Sequence, residues 1–310
     1  MADIKQRSLL YVKGMAMGAA DVVPGVSGGT IAFLTGIYEE LLNSIKSVGP
    51  GSIKVLFSEG PRAFWTAVNG NFLLVLMLGI ATSVVSLARV ITHLLATYPN
   101  LLWSFFFGLI LVSSLYMAKQ ITRWGISNVL SLAVGCVVAY SITVLSPAEI
   151  EATTISLFLA GSIAICAMIL PGISGSFILL LLGMYSHVMA AIKGFDVGVL
   201  AIFAAGCITG LMVFSRFLSW LLSRYHEATM ALLTGFMLGS LNKVWPWKHT
   251  LTWRTNSHGV EVPLTQENLM PFQYAEIVGQ DHQLLYCAGL ALFAIVFVLG
   301  IERIARQKVS

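Results

Sequence analysis

Two short segments carry the residues best suited to holding an anion: Pro24-Gly25-Val26-Ser27-Gly28-Gly29-Thr30 and Pro171-Gly172-Ile173-Ser174-Gly175-Ser176. Each lies inside apolar sequence, where a Pro/Gly break frees backbone N–H groups that hydrocarbon cannot satisfy. Glycine lets a ligand approach the main chain closely. N–H groups at the start of the arm after the break, with the hydroxyls of Ser27, Thr30, Ser174 and Ser176, are donors suited to an anion. Paired breaks in corresponding halves of an apolar chain point to the binding site of a transporter. The bland reading is that these small residues only let helices pack closely.

Arg89 and Arg216 also fall inside apolar stretches, at matching repeat positions. A charge at that depth costs at least roughly 2.5–3.5 kcal/mol, so it marks a pathway or a partner. The planar guanidinium fork fits phosphate bidentately and is dehydrated more easily than an ammonium. The competing reading is snorkelling, or for Arg89 a structural pair with Asp21. Asp21 itself precedes the first break, and Met168 takes its aligned place in the second copy. A carboxylate there could couple transport to protons or another ion, or it could hold Arg89. Glu39 is a second candidate for ion coupling, although Glu39, Glu40 and His187 at the distal ends of the second arms read mainly as interfacial. His93 reads as a helix-end residue. The four cysteines, Cys136, Cys166, Cys207 and Cys287, have no metal-like spacing and read as small apolar residues. No metal or cofactor is expected.

The elements that must position these groups are membrane helices. Of the 310 residues, 57% are hydrophobic and 10% charged, and the mean hydropathy is +0.85. Soluble domains are nearer 45–50% apolar and about 25% charged. A separate soluble domain and a nucleic-acid partner are not expected, and Lys5, Arg7 and Lys13 lead into apolar sequence without a signal-peptide cleavage pattern. A span needs roughly 20 apolar residues. Candidates are 72–96, 101–118, 127–146, 198–222, 229–244 and 284–302. The stretches 9–45 and 153–193 hold the motifs in their middles and read as re-entrant helix–break–helix hairpins, with Pro24, Gly25, Pro171 and Gly172 as the breaks.

An internal repeat supports this. At an offset of 147, Pro24, Gly25, Ser27, Gly28, Gly36 and Tyr38 meet Pro171, Gly172, Ser174, Gly175, Gly183 and Tyr185; at an offset of 127, Gly79, Arg89 and Tyr98 meet Gly206, Arg216 and Tyr225. The fold class expected is therefore an all-α integral membrane protein with an inverted-topology repeat. Residues 1–146 form the first copy and 147–310 the second, each a hairpin plus three helices. A hairpin adds an even number of crossings and three helices an odd number, so the copies face opposite ways. With both termini cytoplasmic, Lys46, Lys54, Arg62, Lys119, Arg123, Arg224, Arg303, Arg306 and Lys308 lie inside. Lys193, Lys243, Lys248 and Arg254 lie outside together with Glu149, Glu151, Glu261, Glu267, Glu276 and Asp281, a positive-inside pattern. The loop 245–283 is then external, with Trp245, Trp247 and Trp253 at the interface.

The run Gly18-Ala19-Ala20-Asp21-Val22-Val23-Pro24-Gly25-Val26-Ser27-Gly28-Gly29-Thr30, followed by Gly36-Ile37-Tyr38-Glu39, resembles the signature of the bacterial undecaprenyl-phosphate translocases of the PopT type. Leu170-Pro171-Gly172-Ile173-Ser174-Gly175-Ser176 resembles that family's second copy. The similarity spans roughly residues 9–303. It implies a multi-pass protein of the bacterial cytoplasmic (inner) membrane that returns a polyprenyl-phosphate carrier lipid from the outer to the cytoplasmic leaflet for cell-wall synthesis. It also implies that the two Ser/Gly loops, Arg89 and Arg216 contact the phosphate.

Three other readings compete. A secondary transporter of a small soluble anion would use the same cradle. An intramembrane serine hydrolase would use Gly25-Val26-Ser27-Gly28 or Gly172-Ile173-Ser174-Gly175, but a nucleophilic serine needs a base in reach, and neither His93 nor His187 is duplicated. A scaffold would leave the paired arginines without purpose.

Overall fold

The computed structural model describes residues 2–23, 25–148, 150–255 and 261–306. Pro24 lies outside the described residues, as do Glu149 and Lys308 of the charge pattern. The chain is helical apart from one β-hairpin. In order it forms α1 (Ala2–Asp21), α2 (Gly28–Leu34), α3 (Tyr38–Ser47), α4 (Pro50–Glu59), α5 (Pro61–Ala67), α6 (Gly70–Thr97), α7 (Pro99–Gln120) and α8 (Ile126–Val144). There follow α9 (Thr154–Ile169), α10 (Gly175–Leu181), α11 (Tyr185–Gly194), α12 (Val197–Arg224), α13 (His226–Ser240), β1 (Lys248–Thr255), β2 (Glu261–Asn268), α14 (Pro271–Val278) and α15 (Leu284–Arg306).

Four of these, α6, α7, α8 and α12, are long and apolar enough to cross a membrane. Their outward faces carry Leu, Val, Ile and Phe, for example Val85 at 80% exposure and Val213 at 65%. Such faces suit hydrocarbon, and this is a multi-pass membrane protein. The helices at 72–96, 101–118, 127–146 and 198–222 match the expected spans within a few residues, whereas α15, at the expected 284–302, counts among the shorter apolar helices and the stretch expected at 229–244 stops at Ser240. Two departures have local causes. The connection after the first hairpin is not loop but α4 and α5, each opened by a proline at its first position, where the missing N–H is harmless. The segment 245–283 is not plain loop either. It holds the antiparallel pair β1–β2 and α14; Thr250, Thr252, Trp253 and Thr255 of β1 favour extended backbone.

Each motif-bearing stretch has two breaks rather than one. The first is the Pro-Gly turn. α9 ends at Ile169, because Leu170 is forced extended (φ −69°, ψ 128°) by the proline that follows it. Gly172 then turns at φ 85°, as Gly25 does at φ 88°. The second break is at Gly36 and Gly183, with φ 70° and 69°. There α11 leaves α10 at 108°.

The chain divides into two compact units, Met1–Ile91 with Pro147–Met230, and Thr92–Ser146 with Ala231–Ser310. Each unit draws on both halves of the chain. The first holds both motif stretches with α6 to Ile91 and α12; the second holds α7, α8, most of α13, the β-hairpin and α15.

Inside the first unit the two copies repeat one another's contacts. A Cβ on Gly14 would strike Leu76 O, and one on Gly161 would lie 2.5 Å from Phe203 O. A Cβ on Gly79 would strike Tyr11 O, and one on Gly206 would strike Phe158 O. These pairs stand at the 147 and 127 offsets of the repeat. Glycine is needed here because the backbones of α1 and α6, and of α9 and α12, touch. In the second unit, Gly108 meets Ala291 O and Gly235 meets Leu132 O in the same manner.

Candidate functional site

The two Ser/Gly loops meet in the first unit. Ser27 is the N-cap of α2: its backbone is extended (φ −120°, ψ 131°) and its hydroxyl accepts from Gly29 N at 3.1 Å. The same oxygen lies 3.3 Å from Met168 O and 3.2 Å from Leu170 O, to either of which it can donate. Across the contact, Gly172 N donates to Thr30 Oγ1 at 3.0 Å. A Cβ at Gly29 would lie 2.7 Å from Ile169 O. Ser27, Gly28, Gly29, Thr30, Ser174 and Gly175 are buried, whereas Ser176 is exposed.

A third tie joins the stretches. The buried Tyr38 hydroxyl donates to Ile169 O at 3.1 Å. The Met168 and Ile169 carbonyls lie at the end of α9, where the helix leaves them without a partner of its own, so Ser27 and Tyr38 satisfy main chain of the second motif stretch. Tyr38 appears in the repeat as the partner of Tyr185, but nothing in its spacing assigns it this role.

The two loops are not equivalent. On the first, the Asp21 carboxylate accepts from Gly28 N at 2.7 Å, and a Cβ on Gly28 would lie 2.5 Å from Asp21 Oδ2. An internal anion thus already sits on the α2 start. On the second, Met168 stands in Asp21's position, with its side chain 2.5 Å from a Cβ on Gly175. Ser174 makes no cap and instead pairs its Oγ with Ser176 Oγ at 3.0 Å. The second loop thus has no carboxylate at the start of α10 among the described residues.

The arginines lie elsewhere in the same unit. Arg216 Nη1 donates to Met212 O at 2.6 Å and Nη2 to Val48 O at 3.2 Å, so its guanidinium caps the end of α3. Arg89 is exposed on α6 and has no hydrogen bond or ion pair among the described residues. No ion pair among the described residues joins Asp21 to either arginine. Glu39 lies 3.5 Å from His226 Nε2 at a surface where both side chains are more than half exposed, and Glu40 accepts from Asn69 Nδ2 at 3.1 Å. Glu39 and Asp21 are therefore in different surroundings. No cluster of three or more metal-ligating side chains occurs among the described residues.

The second unit holds a different polar assembly. The Lys248 ammonium stands 3.7 Å from the centroid of the Trp103 ring and donates to Lys243 O at 2.5 Å. Burial pushes Lys243 down to about 8, and burial with the neighbouring Lys243 charge pushes Lys248 well below the usual lysine range.

A helical membrane chain with duplicated, interlocked Pro-Gly-x-Ser-Gly turns defines a class, and sequence comparison gives it a family. The undecaprenyl phosphate translocase-like family matches residues 17–262, and the chain belongs to it. A polyprenyl-phosphate transporter of Vibrio cholerae serotype O1 is 54% identical over 297 residues, 96% of each chain. A polyprenyl-phosphate transporter of Staphylococcus aureus is 33% identical over 253 residues, 76% of this chain and 85% of the relative. No solved structure matches the chain.

Proposed function

We propose that this protein is a translocase, not an enzyme, that returns undecaprenyl phosphate from the outer to the cytoplasmic leaflet of the bacterial cytoplasmic membrane, where the carrier lipid re-enters cell-wall synthesis. A phosphate monoester carries about −1.5 to −2 charges near pH 7, and hydrocarbon alone cannot accommodate it. The observation that carries the reading is the direct seating of the two Ser/Gly turns on one another, polar groups inward, in a chain of this family.

In this reading the turns are re-entrant from opposite faces, the copies (1–146 and 147–310) are inverted, and both termini are cytoplasmic. The phosphate binds when Ser27, Gly28, Gly29 and Thr30 exchange their partners across the contact for phosphate oxygens, together with Ser174, Gly175 and Ser176. Ser176, already exposed, is met first. Arg216 at the end of α3 and Arg89 on the open face of α6 supply positive charge along the path. Neutralising Asp21 frees the Gly28 N–H for the phosphate, which makes Asp21 the site of ion or proton coupling; Glu39 would have a lesser, surface role.

Purified protein in vesicles, given undecaprenyl phosphate, tests this. Wild type is expected to move the lipid between leaflets. Arg89→Ala, Arg216→Ala and Ser176→Ala are expected to reduce the rate about tenfold or more while the protein remains folded. Full activity in all three discards the site. Transport of inorganic phosphate in place of the lipid would replace the reading with that of a soluble-anion carrier.

A further inference from the structure

α4 (Pro50–Glu59) faces the wrong way for a helix that meets water. Its polar Ser52 is buried, at 7% exposure, whereas Phe57 is 85% exposed and Ile53, one turn earlier, 49%. At about 100° per residue, Ile53 and Phe57 share one side, Lys54 borders them, and Glu59 falls about 200° round from Phe57. A helix on the surface of a soluble domain turns its apolar stripe inward. The reversal in α4 suits an apolar medium outside.

That medium is close by. Only Val68 and Asn69 separate α5 (Pro61–Ala67) from α6, which is long and apolar enough to cross the membrane. The 28 residues of α6 reach about 42 Å, against roughly 30 Å of hydrocarbon, so its ends stand in the headgroup layers. Trp65 fixes α5 to the start of α6. A Cβ on Gly70 would strike the Trp65 ring, and Trp65 Nε1 donates to Asn71 Oδ1 at 3.0 Å. Tryptophan favours that depth. α5 packs in turn on α4. Lys54 and Arg62 are exposed, with no ion pair among the described residues, and Glu59 is the only carboxylate between Lys46 and Asn69. This balance of charge complements a layer of anionic headgroups.

We propose that α4 and α5 form an amphipathic anchor lying in the headgroup layer at the Gly70 end of α6. Ile53 and Phe57 dip into the acyl boundary, Trp65 stands at its edge, and Lys54 and Arg62 bind the phosphates of anionic phospholipids. In the orientation proposed above that is the cytoplasmic leaflet, and no other part of that reading is used.

Spin-label depth measurement tests this. The full-length protein, its four native cysteines replaced by alanine, carries one label at Ile53→Cys, Phe57→Cys or Glu59→Cys in lipid nanodiscs. Collisions with oxygen, which partitions into hydrocarbon, are compared with collisions with a neutral nickel chelate, which stays in water. In equal phosphatidylcholine and phosphatidylglycerol, the oxygen-to-nickel ratio is expected to be at least about threefold higher at Ile53 and Phe57 than at Glu59. In phosphatidylcholine alone it is expected to fall by about half at Phe57, and Lys54→Gln with Arg62→Gln is expected to lower it as far in the mixed nanodiscs. Ile53, Lys54, Phe57, Glu59 and Arg62 are all exposed, so substitutions there disturb no packing. Ratios at Ile53 and Phe57 no higher than at Glu59 overturn the proposal. So does a ratio that ignores phosphatidylglycerol, or one that the double substitution leaves unchanged. Lipid transport enters none of these readings, so failure of the translocase shows separately in the vesicle assay.

Discussion

Glycine and threonine at the crossing of the two turns have sharply different jobs. Gly29 is there because Ile169 O occupies the space of a side chain. Gly29→Ala is expected to lower the thermal midpoint and cut lipid transport at least tenfold, measured by thermal denaturation in detergent and by the vesicle assay. Gly36→Ala is the control. Nothing lies within 4 Å of its Cβ, and only its positive φ of 70° is strained, a penalty of about 1 kcal/mol. Thr30→Val removes the acceptor for Gly172 N–H in a buried place and is expected to destabilise by about 1–3 kcal/mol. Chemical unfolding of the two proteins side by side checks this. The identities of these residues were legible from the duplicated motif. Their present partners were not. Ser27 and Thr30 read as ligand donors because spacing shows a hydroxyl's availability to the chain, and says nothing of which distant carbonyl or N–H will satisfy it.

Among the elements, the apolar helices were the most legible, because hydropathy over about 20 residues is a one-dimensional signal. The β-hairpin and α14 were not, since their pattern is short and interrupted. The link between α13 and β1 also holds its own prediction. Lys243 in the folded protein titrates near 8, below its unfolded value of about 10.4. Between those values the unfolded chain binds more protons, so stability rises with pH across that window. The thermal midpoint of wild type is expected to climb from pH 8 to pH 10 more than that of Lys243→Gln; parallel curves refute it. Arg216 shows the opposite limit. Its match with Arg89 in the repeat suggested a shared ligand, whereas the structure uses one guanidinium to finish α3 and leaves the other exposed.

For the whole molecule, the repeat was legible as a sequence offset and returns as duplicated contacts, yet the packing units cut across it. A repeat records ancestry, and compactness records which faces bury one another; the two need not share a boundary. The copies also differ where coupling would reside. Asp21 faces Gly28, and its counterpart Met168 faces Gly175. If Asp21 couples transport to a proton, Asp21→Asn is expected to abolish the dependence of vesicle transport on a pH gradient while leaving gradient-free exchange measurable. A gradient response equal to wild type removes Asp21 from that role.

The backbone-to-backbone seams at Gly14 with Leu76, Gly79 with Tyr11, Gly161 with Phe203 and Gly206 with Phe158 fix where a greasy chain is unable to slip through. An isoprenoid is as thick as a branched alkane, and helices whose main chains touch offer it no slot. The seams between α1 and α6 and between α9 and α12 are thus sealed to lipid. In the proposed translocase, any side door through which the tail trails while the phosphate travels must open along other borders of the first unit. Bulky residues placed at those borders, rather than at the glycine seams, are the ones that would jam it.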